Sequence, residues 1–184
     1  MSIIKQNDLI DSVTDALQFM SCYHPKDYID AVYAAWEREE STAARDAMAQ
    51  ILVNSRMCAM GKRPICQDTG IVTVFVKVGM DVQWDADLSL ADMINEGVRR
   101  AYTDPDNTLR ASLLADPAGK RKNTGDNTPA VIHTEIVKGD KVTSWTNQQD
   151  NDGNKINDDL IDTRQNTLDL VHRVFEYCLS LIHI

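Results

Sequence analysis

Arg63-Pro64-Ile65-Cys66-Gln67-Asp68-Thr69-Gly70-Ile71-Val72-Thr73-Val74-Phe75-Val76-Lys77-Val78 joins a polar loop to a nearly unbroken apolar run, and this junction decides how the rest of the chain is read. The run is rich in Val and apolar on both faces, the pattern of a strand buried inside a sheet. Periodicity by itself would also fit a buried helical segment. Gly79 stops the run, and Pro64 and Gly70 punctuate the loop that enters it.

Upstream of the loop the period is helical. Leu9, Val13, Ala16, Leu17 and Met20 predict a helix over 7–20, with Asn7 placed to cap it. Pro25 can open a second helix at its first position, with Tyr28, Ile29, Val32 and Trp36 on one face and a charged end at 37–40. A third helix is expected over 43–56, with Ala44, Met48, Ile51, Leu52 and Ser55 as its inner stripe.

Downstream, Leu90, Ile94, Val98 and Ala101 predict a helix over 89–102, capped by Ser89 or Asp87. Residues 103–128 read as a long irregular segment, of the kind that is functional or disordered in a compact domain. Two strands over 130–138 and 141–145, joined at Gly139 and Asp140, predict a hairpin. The Asn-, Gln- and Asp-rich stretch 147–159 reads as a loop or boundary. Leu168, Val171, Phe175, Cys178 and Ile182 predict a last helix over 163–181. The expected fold class is α+β: N-terminal helices on a small sheet containing 71–78 and 130–138, with the Cys66 loop at a sheet end.

That loop concentrates chemistry. A cysteine on a rigid loop can ligate iron as thiolate, and the amide of Gln67 and carboxylate of Asp68 stand close enough to meet a ligand at that metal. The competing reading makes Cys66 a small buried hydrophobe, Asp68 an Asx-turn residue and Gly70 a turn glycine.

Resemblance separates the two. RPICQDTGIVTVFVKVGM (63–80) resembles the segment around the first cluster cysteine of class I, iron-sulfur-dependent fumarate hydratases and of the related tartrate dehydratase alpha subunits. NSRMCAMGKRPICQDTG (54–70), DMINEGVRRAY (92–102) and LRASLLADPAGKRKNTGDNTPAVIH (109–133) resemble the same N-terminal region, so the likeness covers residues 1–143. The ADPAGKRKNT and RPIC stretches are more like fumarase than tartrate dehydratase.

The resemblance implies a hydro-lyase that reversibly hydrates fumarate to L-malate. Its 4Fe-4S cluster is held by three cysteines and leaves one iron open as a Lewis acid for substrate. It makes Cys66 the first cluster ligand, puts Gln67 and Asp68 beside the substrate as catalytic and binding residues, with Asp68 a candidate for proton transfer, and aligns Arg110 with the substrate-binding arginine that a dicarboxylate requires. A surface-helix arginine is the competing reading of Arg110. Asn123, Thr124, Asp126, Asn127 and Thr128 either shape the pocket or serve as ordinary turn and capping residues. Cys58, Cys22 and Cys178 receive no ligand role; the last two lie on apolar helix faces. His133 reads as packed or hydrogen-bonded rather than metal-binding, His24 as a helix-start residue, and His172 and His183 fall outside the matched region.

After Val142 the likeness stops. Thr143-Ser144-Trp145-Thr146-Asn147-Gln148-Gln149 stands where the family has a glycine-rich GGGSEN motif, and the two later cluster cysteines and the C-terminal region are missing. The expected organisation is therefore a partial hydro-lyase domain over 1–143 and a divergent tail over 144–184, the whole a fragment inactive alone. Two alternatives are a non-catalytic interaction or regulatory protein on the same domain, and a tartrate dehydratase-like alpha subunit that works with a second chain.

Composition narrows the partners. A formal charge of -9 without a large Lys/Arg cluster argues against nucleic acid, and no run approaches the length of a membrane span. A cytoplasmic location follows as an expectation, as does, from the family, a homodimeric intact enzyme acting on a small dicarboxylate.

Overall fold

The valine run forms β2 (Ile71–Gly79), the strand around which the main sheet is built. The computed structural model describes residues 2–66, 70–106, 109–149 and 155–162, of which 145–149 and 155–162 are described as backbone. The chain is α+β. Around β2 lie β1 (Ile3–Lys5), α1 (Gln6–Cys22), α2 (Lys26–Arg38), α3 (Thr42–Gly61), β3 (Gln83–Asp85), α4 (Leu90–Thr103), β4 (Leu114–Ala115), β5 (Lys122–Asn123), β6 (Val131–Val137), β7 (Val142–Gln149) and β8 (Lys155–Asp162).

The four-stranded sheet has the order β6-β2-β7-β8. β6 runs parallel to β2 with Phe75 opposite His133, and β7 runs antiparallel to it with Phe75 opposite Trp145. The expected hairpin between β6 and β7 does not form, because β2 lies between them and uses both of its edges. The end of β2 is sealed beneath the connection: the Gly79 N–H donates to Lys141 O at 2.8 Å, Met80 to Val137 O and Asp81 to Gly139 O, both at 2.9 Å. Gly79 has to be glycine here, since a Cβ would stand 2.3 Å from Gly139 O. Only then can the turn close over the strand end.

α1 and α4 cover one face of this sheet. Leu9, Ile10, Val13, Leu17 and Met20 of α1 and Met93, Ile94, Val98 and Ala101 of α4 pack with Val72, Val74 and Val76 into one core. Each such side chain contributes about 1.5–3 kcal/mol on burial. The helices cross at Gly97, where an added Cβ would lie 2.7 Å from Val13 Cβ and 2.8 Å from Ile10 O. Thr14 Oγ1 donates at the same crossing, to Gly97 O at 3.0 Å or Ile10 O at 2.9 Å. The other face of the sheet is more open: Ile71 is 43% exposed and Phe75 38%, so β2 is not buried on both sides as its composition predicts. Phe75 stacks there on His133 at 4.8 Å, which gives His133 a packing role.

α2 and α3 pack on each other beside this core, and α2 has no fully buried residue. Tyr28 and Ile51, expected inward, are 40% and 41% exposed. Pro25 stands at the N-cap of α2 rather than inside its first turn. Asn7 does not cap α1, which starts one residue earlier after Lys5; Gln6 instead turns back to accept from the Asp87 and Leu88 N–H groups. Ser89 caps α4 as expected, accepting from Asp92 N at 3.1 Å.

Residues 147–149 and 155–159, expected as loop, belong to β7 and β8. Their composition hid the strands because an alternation of apolar and polar residues is hard to see in a stretch so rich in Asn, Gln and Asp. β7 also passes without interruption through 143 and 144. The helix expected over 163–181, with Cys178, His172 and His183, lies outside the described residues. Among the described residues, no helix is long and apolar enough to cross a membrane.

Candidate functional site

α3 outlasts its expected end by five residues and closes at Lys62 in the left-handed region, φ 47°. The chain then runs back along the helix, and three contacts hold it there. Ile65 N–H donates to Ser21 O at the end of α1 at 2.8 Å. Asn54 Nδ2 donates to Ile65 O at 3.3 Å. Cys58 Sγ reaches both Pro64 O at 3.5 Å and Asn54 Oδ1 at 3.6 Å. Cys66 therefore follows two residues whose backbone is fixed by the ends of two helices, and its own side chain is exposed. The reading of Cys66 as a buried hydrophobe is thereby corrected. Gln67 and Asp68, the expected catalytic pair, lie outside the described residues.

The two other described cysteines behave differently. Cys22 and Cys58 are buried, 8% and 5% exposed. Burial pushes the Cys22 thiol up to about 11, with Cys58 nearby adding to the effect and Lys62 opposing it. Burial likewise raises Cys58, against the charge of Arg63.

The far end of the loop is anchored from the other side. Gly70 is buried and left-handed at φ 53°, and its carbonyl accepts from Asn127 Nδ2 at 3.2 Å and Ser112 Oγ at 3.4 Å. Asn127 is fully buried, and its Oδ1 accepts from the N–H of Ser112 at 2.9 Å and of Leu113 at 3.0 Å. One carboxamide thus joins the segment after Arg110 to the end of the loop after Cys66 through three backbone groups.

Arg110 is exposed in the irregular connection between α4 and β4, so it is not a helix-surface residue. The expected irregular segment is in fact laced together: Leu114 pairs with Asn123 and Ala115 with Lys122, Asn123 Nδ2 donates to Ala111 O at 2.8 Å, and Thr124 N–H to Leu113 O at 2.9 Å. Asp126 plays the turn role, accepting from Thr128 N–H at 3.0 Å and Thr128 Oγ1 at 2.8 Å. Partial burial works to raise its pKa, but the Thr128 hydrogen bonds and the charge of Arg99 outweigh it and hold the carboxyl below its ordinary value. The motif around Asn127 therefore has the turn role that the sequence left open, through Asp126 and Thr128, and ties two backbone segments together through Asn127. Ser112, Asn54 and Ser21 carry no sequence signal, since their contribution rests on which backbone groups they meet.

Among the described residues the donor set does not complete a 4Fe-4S site. The described residues offer one exposed thiol at the loop, the other two described cysteines are buried, and no group of three His, Cys, Asp or Glu among the described residues could hold a metal ion. What the arrangement offers is a single thiol on a braced loop and a cationic fork on a neighbouring segment, stitched together through Gly70 and Asn127.

Comparison with known proteins matches the fumarate hydratase (Fumerase) family over residues 10–148. The chain is 29% identical over 91 residues, half of its length, to a putative L(+)-tartrate dehydratase subunit alpha of Methanocaldococcus jannaschii, covering 32% of that protein. It is 30% identical over 120 residues, 65% of its length, to a putative fumarate hydratase class I of Geobacillus stearothermophilus, covering 22% of it. It is 36% identical over 92 residues to the anaerobic class I fumarate hydratase of Escherichia coli, covering 50% of this chain and 16% of that one. The chain thus spans a third or less of the length of these relatives.

Proposed function

Because the chain belongs to the fumarate hydratase (Fumerase) family, we propose that it carries part of the active site of a hydro-lyase that adds water reversibly to fumarate to give L-malate. The observation that carries this reading is that one buried side chain, Asn127, bonds both to the end of the Cys66 loop and to the segment that follows Arg110. In this reading Cys66 is one thiolate ligand of a 4Fe-4S cluster that supplies Lewis acidity in the assembled enzyme. Arg110 offers a planar fork to a substrate carboxylate. Gln67 and Asp68 bind substrate, and Asp68 exchanges a proton with its hydroxyl.

The chain by itself is inactive in this proposal. One thiolate does not hold a four-iron cluster, so the remaining ligands come from polypeptide beyond these 184 residues. The assembled enzyme is proposed to be cytoplasmic and homodimeric. A change of sequence origin after residue 143 remains part of the proposal, as a statement about ancestry rather than about a folding unit. The match to tartrate dehydratase alpha subunits favours one variant, in which a second chain completes the site and tartrate is the dicarboxylate.

The test is anaerobic reconstitution of the 184-residue protein with iron and sulfide, read by cluster absorbance, iron per chain and fumarate hydration, beside Cys66→Ala. Substoichiometric iron and no turnover are expected. A stoichiometric cluster that depends on Cys66 and turns over fumarate would overturn the claim of inactivity.

A further inference from the structure

Gly70 is four residues from Cys66 and Ser112 is two from Arg110, and among the described residues no strand pairing joins the two segments directly. What joins them is side-chain chemistry. The Gly70 carbonyl takes bonds from Asn127 Nδ2 and Ser112 Oγ, while Asn127 Oδ1 takes the N–H groups of Ser112 and Leu113. Each bond made by Asn127 to these segments is to backbone, so it sets the path of the chain rather than the rotamer of one neighbour. Asn127 sits at φ 60°, a conformation that Asn adopts more readily than most residues, and this turns its carboxamide back beneath both segments.

We infer that Asn127 is a positioning residue: by clamping the Gly70 carbonyl to the Ser112 and Leu113 amides it holds the Cys66 thiol and the Arg110 guanidinium in register for one anionic ligand. This rests on the reading that Cys66 and Arg110 serve the same carboxylate-bearing substrate. Its reach is narrower, since Asn127 touches neither substrate nor metal. Ser112 is the auxiliary of the same clamp, through its hydroxyl.

The consequence can be read on the apo chain without iron. Cys66 is exposed while Cys22 and Cys58 are buried, so alkylation of Cys66 can be followed by mass spectrometry of its own peptide. The informative quantity is the rate with iodoacetate, an anion, divided by the rate with neutral iodoacetamide, because a nearby guanidinium speeds only the anion. A change in the exposure of the thiol alone changes both rates together and leaves the ratio alone, whereas separating the thiol from the guanidinium lowers it, so the fold of each variant is checked by circular dichroism.

Arg110→Ala is expected to lower the ratio severalfold. Asn127→Ala is expected to lower it by a similar factor with Arg110 still present, and the double variant to show no further fall. An unchanged ratio in Asn127→Ala, beside a lowered one in Arg110→Ala, would overturn the positioning role and leave the shared site standing. An unchanged ratio in Arg110→Ala would overturn the shared site and the positioning role with it. If Asn127→Ala does not fold by circular dichroism, Ser112→Ala decides, as it removes the 3.4 Å bond to Gly70 O and keeps the backbone N–H groups that Asn127 holds. A smaller fall in the same direction supports the clamp, and an unchanged ratio overturns it.

Discussion

Asn127 donates from Nδ2 to the carbonyl oxygen of Gly70 at 3.2 Å, joining two points 57 residues apart in the chain. Removing that carboxamide leaves a buried carbonyl and the two N–H groups of Ser112 and Leu113 short of partners. The Asn127→Ala chain should therefore lose about 2–4 kcal/mol of stability, the scale of several unmade hydrogen bonds plus a left-handed alanine. Urea unfolding should show a lower midpoint with an unchanged slope. A midpoint equal to that of the parent would show that the clamp adds nothing to the fold.

Gly97 lies where α1 and α4 touch, and the sign of Gly97→Ala is informative. Helix propensity alone would favour alanine by about 1 kcal/mol. A Cβ at 2.7 Å from Val13 Cβ and 2.8 Å from Ile10 O instead forces the helices apart, because one of the two neighbours is backbone and has nowhere to move. Net destabilisation of about 1–3 kcal/mol is expected. A rise in melting temperature would mean that the helices can separate without loss.

The three described cysteines should react in a fixed order. With its thiol pushed up to about 11, Cys22 presents at pH 8 roughly one thiolate in a thousand, and the group is buried besides. Pulsed iodoacetamide labelling in native buffer should mark Cys66 first, with Cys22 and Cys58 following only as the protein opens. Equal labelling of Cys22 and Cys66 at the shortest pulse would contradict the burial of the α1 and α3 ends.

His24 gives the chain a dependence on mildly acidic pH. It stacks on Tyr28 at 4.5 Å, its Nδ1 is buried without a hydrogen-bond partner, and burial lowers its pKa below 6.5. The folded state thus disfavours the proton that the unfolded chain accepts. The stability this gives is full above the ordinary value and is lost as pH falls through the lowered folded pKa. Between pH 7.5 and 5 the parent should lose more stability than His24→Gln. Parallel curves for the two proteins would remove His24 from the account.

Much of the architecture was legible because it is local. A continuous Val-rich run placed β2 and 3.6-residue spacing placed α1 to α4, since each helix must bury its own stripe, and Ser89 announced its cap by side-chain chemistry. The cysteine loop was legible for a different reason, as an unusual density of Cys66, Gln67, Asp68 and Thr69 at a strand entrance. Which strands pair was not local. Residues 131–149 look like a hairpin, and only the greater burial obtained by placing β2 between β6 and β7 reverses that reading.

The amino-acid sequence by itself therefore determined the elements, the family likeness and the choice of Cys66 and Arg110 as candidates, all properties of short contiguous strings. The tertiary structure decided that β2 is the central partner of β6 and β7, that Cys58 braces the Cys66 loop from below, and that Asn127 ties that loop to the Arg110 segment. The physical reason is that a buried polar side chain is defined by the partners that satisfy it, and those of Asn127 come from positions 15 and 57 residues away that only folding brings within hydrogen-bond reach.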